Sequence, residues 1–349
     1  MNNLLTSFDQ WRAANQALVL ATVFETSGST YSKAGARMLI NSQGDFQGML
    51  SGGCLEGDLA ERASRVLEGG AAQAVTYDLG LNEDELWGLG VGCDGVMRIF
   101  LQALLPEQDY APFDAIARAM KADYPEIAVT VLESDNGAIV PGATLVTAGG
   151  ETEVFGLSDT VAKELLSEAE AALAGQLSAT REVRVGDVKT NVLVSVITPR
   201  PRLLVLGAGL DAEPITRLAA ELGWRTTVID HRAAYIENGM FDAEKVICCP
   251  ANEMSREVDL ARFDTAIVMS HHLAADRSYL VQLSGSDIPY IGLLGPVGRR
   301  HRLMAELGDQ GKSLEGRLHG PAGLDIGAAG PAAIALSILA EMHAVLASR

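Results

Sequence analysis

Cysteine is scarce here, four residues in a chain of 349. The opening residues also lack the basic, apolar and small-residue segments of a secretory signal. Together these absences exclude a disulfide framework, and each cysteine reads as a free thiol. Histidine is sparse as well. All six histidines fall after position 230, so no imidazole is at hand in the first half to orient a cysteine nucleophile, and no tight Cys/His cluster offers a structural zinc site. Basic charge is short too. Against 45 acidic residues there are 27 Lys and Arg, a net charge of −18, which argues against a nucleic-acid backbone or an anionic membrane as the main partner. No apolar run reaches the thickness of a bilayer without interruption. The expectation is a soluble, cytoplasmic protein that engages neither nucleic acid nor membrane.

What the chain has in plenty is glycine, 36 residues, gathered between segments of regular apolar spacing. Its length suggests two domains. An amphipathic stretch from Leu4 to Asn15 precedes a strand at Leu18 to Phe24, and RMLI, a Gly44 turn and FQGML read as a hairpin. Leu55, Leu59, Ala63, Val66 and Leu67 recur at helical spacing until Gly69-Gly70. Strands follow at Ala74 to Leu79 and Val96 to Gln102. Between Phe113 and Thr198, helix-like stretches (Asp114 to Lys121, Val161 to Ala174) alternate with β-rich ones (Ile127 to Leu132, Lys189 to Ile197). The run TPRPR, residues 198–202, continues neither element easily and reads as the linker. This divides the chain into an N-terminal α/β domain with a β-rich extension, residues 1–198, and a C-terminal domain, residues 199–349. In the latter, strands and helices alternate as in a Rossmann-like, doubly wound parallel sheet.

Three glycine-rich segments carry candidate chemistry. Gly207-Ala208-Gly209-Leu210-Asp211-Ala212 lies directly after the apolar strand RLLVL and opens a helix, the context that a dinucleotide-binding turn requires. Gly207 permits the turn and Gly209 the approach of a diphosphate, so NAD(P) or another nucleotide is a candidate ligand there. Asp230, closing the next strand, is placed to accept from a ribose, while Asp211 puts negative charge where the diphosphate lies. In the first domain, TSGSTYSKAG, residues 26–35, offers Gly28, Ser29 and Lys33 as anion donors, and Ser51-Gly52-Gly53 offers a second set just ahead of Cys54 at a helix entrance. A thiol so placed is expected to gain thiolate character, partly offset by Glu56 and Asp58. Cys93 sits in the similar loop GLGVGCDG, whereas Cys248-Cys249 closes a strand and reads as core. His271, His272 and Asp276 follow a strand at the carboxyl edge, where doubly wound sheets place ligands.

Taken in order, the segments GSTYSKAGARMLI (28–40), GMLSGGCLEGDL (48–59), GLGVGCDG (88–95), LVLGAGLDAEPITRLAAELGWRTTVIDHR (204–232), VMSHHLAADRSYL (268–280), YIGLLGPVGRRHRL (290–303) and GPAGLDIGAAGPAAIALSILAEM (320–342) resemble the XdhC/CoxI proteins. These are accessory factors for xanthine dehydrogenase, carbon monoxide dehydrogenase and related molybdenum hydroxylases. The resemblance implies a maturation factor rather than an enzyme. Such a factor binds the molybdenum cofactor, molybdopterin or its dinucleotide form, protects it while a terminal sulfur is installed, and delivers it. Its implied partners are the apo molybdenum hydroxylase, a cysteine desulfurase as sulfur donor, and a second copy of itself in a homodimer. The cofactor-binding set implied is Gly28, Ser29, Lys33, Gly52, Gly53, Cys54, Glu56, Cys93, Gly207, Gly209, Asp230, His271, His272 and Asp325, with Cys54 and Cys93 nearest the metal. Soft thiolate suits a molybdenum–sulfur centre.

This chain departs from the family pattern at Asp94, at His272, where a second histidine is shifted by one position, and at Ala332, where a carboxylate is usual. Arg299 and Arg300 are kept, as a phosphate contact or a solvated face. Asp325 either caps the last helix or lines the cleft. Two other readings stand beside the maturation factor. One is an NAD(P)-dependent oxidoreductase built on the GAGLDA turn with His271 or His272 as proton donor. The other is a redox- or nucleotide-responsive module using Cys54 and Cys93.

Overall fold

The computed structural model describes residues 2–79, 95–135, 137–175, 177–186 and 188–348. The chain forms two compact units, Met1–Pro199 and Arg200–Arg349.

In the first unit, helix α1 (Asn2–Ala13) leads to strands β1 (Leu18–Ser27), β2 (Arg37–Asn41) and β3 (Phe46–Gln47), helix α2 (Glu56–Gly69), and strands β4 (Gln73–Asp78) and β5 (Val96–Leu104). These strands make an antiparallel sheet ordered β3-β2-β1-β5-β4. Successive side chains of β1 point to opposite faces, and both faces are covered. Val19, Ala21 and Val23 pack with Leu59, Ala63 and Val66 of α2, while Leu18 and Leu20 pack with Leu4, Leu5 and Phe8 of α1. Burial on two sides is why LVLATVF carries no polar alternation. Helix α2 stops where Gly70 turns left-handed and its N–H bonds Val66 O.

Helix α3 (Phe113–Ala119) connects to a second antiparallel sheet. Its strands are β6 (Glu126–Ser134), β7 (Thr144–Ala148), β8 (Glu151–Phe155), β9 (Ala179–Val185) and β10 (Val188–Ile197), in the order β8-β7-β6-β10-β9, with α4 (Asp159–Gly175) packed on it. The register of β1 against β5 shifts between Val23 and Glu25. Such an irregularity re-aims a strand end, and here it carries β1 into the loop before β2.

The second unit is a six-stranded parallel sheet of β11 (Arg202–Leu206), β12 (Arg225–Asp230), β13 (Lys245–Cys248), β14 (Thr265–Val268), β15 (Tyr290–Leu293) and β16 (Leu318–His319). The order β13-β12-β11-β14-β15-β16 reverses direction between β11 and β14, the arrangement of a Rossmann fold, whose ligands lie beyond the carboxyl ends of the strands at that reversal. Helices α5 (Ala212–Glu221) and α11 (Pro331–Ala347) cover one face against Leu203, Val205 and Val228. Helices α8 (Leu273–Leu283) and α9 (Val297–Leu307) cover the other, against Leu204, Leu206 and Ile229. The shorter helices α6 (Ala233–Asn238), α7 (Met254–Glu257) and α10 (Asp309–Lys312) complete the unit. Among the described residues no helix is long and apolar enough to cross a membrane.

Candidate functional site

Three chain segments meet at the open end of the first sheet. The loop from Gly28 to Ala36 joins β1 to β2, and the loop from Gly48 to Cys54 leads into α2. Ser32 Oγ donates to Met49 O at 3.2 Å, and a Cβ on Gly52 would lie 3.5 Å from the Tyr31 ring, so the two loops are in contact. Gly95 closes the group, because a Cβ there would fall 2.5 Å from Ser29 O and 2.6 Å from Thr30 Cγ2. Only glycine admits that approach. Lys33 Nζ donates to Thr30 Oγ1 at 3.3 Å, and Thr30 in turn donates to Ser32 O at 2.9 Å. Ser29, Lys33, Gly52 and Gly53 are exposed, and Cys54 is half-buried with a free thiol. The structure thus brings Gly28, Ser29, Lys33, Gly52, Gly53 and Cys54 into one loop cluster. Cys93 lies outside the described residues.

Glu56 does not face this surface as a ligand contact. It is buried, and its carboxylate turns back into its own loop. Oε1 accepts from the N–H groups of Leu50 and Ser51, both at 2.9 Å, and Oε2 accepts from Ser51 Oγ (2.5 Å), Gly53 N (3.0 Å) and Leu55 N (3.2 Å). Burial pushes the Glu56 carboxyl up, but the hydrogen bonds from Ser51 and Leu50 together outweigh it and leave it below the usual carboxylate range. A nest of amides that favours an external anion is therefore filled from within. The consequence is a rigid platform for Cys54. Asp58 is likewise engaged, with Arg62 Nε at 2.6 Å and Tyr77 Oη at 2.5 Å.

In the second unit, Gly207 has φ of 131°, and a Cβ on it would meet Met269 O at 2.5 Å. The turn fits against β14 only as glycine. Asp230 differs from its expected role. Fully buried, it accepts from Ala208 N (2.7 Å) and Arg232 Nη2 (2.7 Å) through Oδ2, and from Arg232 N and Nε (both 2.9 Å) through Oδ1. Burial raises its pKa, yet Arg232 and the Ala208 N–H bring it below the ordinary value. Its oxygens are thereby taken up by protein donors rather than turned toward a ribose. Asp211 Oδ1 lies 2.5 Å from where a Cβ of Gly209 would be, and Oδ2 is 2.7 Å from His271 Nε2. With Asp230 neutralised by Arg232, the carboxylate of Asp211 is the one at the turn that opposes a diphosphate, which weakens the oxidoreductase reading.

His272 caps α8. Its Nδ1 accepts from Ala275 N at 3.3 Å, so in the neutral ring Nε2 carries the proton and has no lone pair for a metal. Among the described residues, no group of three or more His, Cys, Asp or Glu is arranged to hold a metal ion. Asp276, fully buried, accepts from Ser270 Oγ (2.5 Å) and from Arg299 Nη2 (2.5 Å), which commits Arg299 to an internal ion pair. Asp325 is exposed in the loop before α11. Cys249 is buried as a core position, but its neighbour Cys248 is exposed. Sequence reasoning missed a further group, in which Glu341 of α11 gathers His319, Tyr290 and Gly323. Only the position of His319 ahead of a glycine-rich loop hinted at it.

Residues 11–78 match the group described as the XdhC and CoxI family, and residues 203–342 match the XdhC Rossmann domain. A Bacillus subtilis (strain 168) protein, named there as one probable subunit of xanthine dehydrogenase, is 30% identical over 343 residues, covering 98% of this chain and 97% of that protein. The uncharacterized protein YqeB of Escherichia coli (strain K12) is 28% identical over 256 residues, 70% of this chain and 46% of its own. A crystal structure described as a xanthine dehydrogenase from Bacillus halodurans superposes with a TM-score of 0.79 at 26% identity, covering 99% of this chain and 96% of that one.

Proposed function

The chain belongs to the XdhC and CoxI family, and on that footing we propose that it is an accessory factor for a xanthine dehydrogenase-type molybdenum hydroxylase. In this reading the molybdenum cofactor is cargo. The protein holds it, shields it while a cysteine desulfurase supplies the terminal sulfur, and passes it to the apo-enzyme. The observation that carries the reading is the loop cluster around Cys54, where a half-buried free thiol stands among exposed glycine backbone and hydroxyl and ammonium donors.

Each part of the cluster suits one part of such a cargo. Lys33 and Ser29 offer donors to an anionic tail. The exposed Tyr31 ring offers a flat face to a pterin. The Cys54 sulfur matches a soft metal–sulfur centre. Glu56 contributes by holding the loop still, so that little order remains to be imposed when the cargo binds. Reconstitution tests the reading. Apo-hydroxylase mixed with released cofactor, a cysteine desulfurase and this protein should gain xanthine oxidation well above a mixture without the protein. Equal activation in both mixtures would refute an accessory role.

A further inference from the structure

The two loops that flank the reversal of the second sheet, one after β11 and one after β14, touch twice at its carboxyl edge. The first contact is the glycine turn, where the missing side chain of Gly207 leaves room for the backbone of Met269 and Ser270. The second is between side chains. Asp211 Oδ2 lies 2.7 Å from His271 Nε2, and because a carboxylate only accepts hydrogen bonds, Nε2 carries the proton and donates. The pair bridges the crevice in which a doubly wound sheet holds a dinucleotide.

Each partner is aimed by its own backbone. Asp211 stands just before α5, where an aspartate usually accepts from the first helical N–H groups. Its φ of −78° and ψ of −15° are already helical, so it makes no cap and its carboxylate reaches His271 instead. His271 has a φ of 60°, uncommon for any residue but glycine. Its neighbours fix it there. Ser270 Oγ donates to Asp276 Oδ1 at 2.5 Å, and His272 Nδ1 caps α8 through Ala275 N at 3.3 Å. Such a conformation persists only where the surroundings impose it, and it gathers at ligand clamps and switches.

The pair covers the second glycine of the turn. On the side of Gly209 where a Cβ would point, Asp211 Oδ1 lies 2.5 Å and His271 Cδ2 3.7 Å from the Cβ position. A dinucleotide-binding turn leaves its second glycine bare so that a diphosphate can come against the backbone. Here that space is filled from within, by one charged and one bulky group. We propose that the Asp211–His271 pair is an autoinhibitory latch, and that a nucleoside diphosphate enters the Gly207 turn only when the imidazole swings away. The latch is separate from the accessory role proposed above and uses none of the Cys54 loop residues.

Charge and latch make different demands. If Asp211 opposed a diphosphate by charge alone, loss of His271 would leave the affinity unchanged or lower, since it removes a group that pairs with that charge. If the pair is a latch, loss of His271 raises the affinity, because the open form is no longer a minor fraction. Calorimetric titration of the full chain with ADP and with adenosine, wild type against His271→Gly, separates the two. Glycine adopts a φ of 60° without strain, so the variant should melt cooperatively, at or above the wild-type temperature. Its affinity for ADP should rise at least about fivefold. Adenosine, which brings no diphosphate, should bind both proteins equally. A second measurement needs no variant to fold differently: in nitrogen-15 spectra of wild type, saturation with ADP should shift Nε2 of His271 as its bond to Asp211 breaks. Unchanged or weaker ADP binding in His271→Gly, an equal gain for adenosine, an unperturbed His271 signal at ADP saturation, or no ADP binding by either protein would overturn the proposal.

Discussion

At the scale of single residues, the site depends on carboxylates that fold back onto their own backbone. Glu56 accepts four N–H groups and one hydroxyl. Glu56→Gln keeps the shape but turns an amide NH2 toward some of those donors, and should cost about 2–3 kcal/mol in urea unfolding. The acid response gives an independent check. Because the folded Glu56 carboxyl is depressed, its contribution is complete above the unfolded carboxylate value, about 4.3, and is lost as pH falls through the folded one. The stability gap between wild type and Glu56→Gln should therefore narrow on acidification below about pH 4. A gap that stays constant would show that the carboxylate is not ionised in the fold. Sequence marked Glu56 and Asp230 as residues of consequence, but it could not show which way they point. An acid beside a glycine loop looks the same whether it faces a ligand or fills the loop itself, and the difference lies in φ and χ angles that spacing does not encode.

At the scale of elements, periodicity carried far where burial was strong. The hairpin around Gly44, helix α2 and the strand–turn–helix at Gly207 were legible because apolar spacing and glycine punctuation agreed. The strands β7, β8 and β9 were not. β7 and β8 have five residues each, and β8 and much of the longer β9 are only partly covered, so no apolar run stands out. The Gly207 turn yields a stability prediction. Gly207→Ala places a Cβ against the Met269 backbone at a φ of 131°, and should destabilise the second unit by about 3 kcal/mol or more, seen as a lower melting temperature. The same turn predicts selectivity. Asp211→Asn removes the opposing charge and should raise the affinity for ADP about tenfold, roughly 1.4 kcal/mol, by calorimetry. Unchanged affinity would mean that Asp211 does not exclude the diphosphate.

At the scale of the whole molecule, two units of different construction share one chain, an antiparallel one bearing Cys54 and a parallel one bearing the Gly207 turn and the Glu341 group. Their existence was legible from the prolines at positions 199 and 201 and from the regular alternation beyond them. The His319–Glu341 contact was not, because 22 residues separate partners that only the sheet and α11 bring together. Cargo held at Cys54 is what gives the first unit its part in the proposed function. The measurement that tests it most directly is molybdenum co-eluting with the protein in gel filtration after anaerobic incubation with released cofactor, wild type against Cys54→Ala. Wild type should retain the metal, and a folded Cys54→Ala should lose most of it. Equal retention would remove Cys54 from the cargo site, and no retention by folded wild type would contradict cofactor carriage altogether.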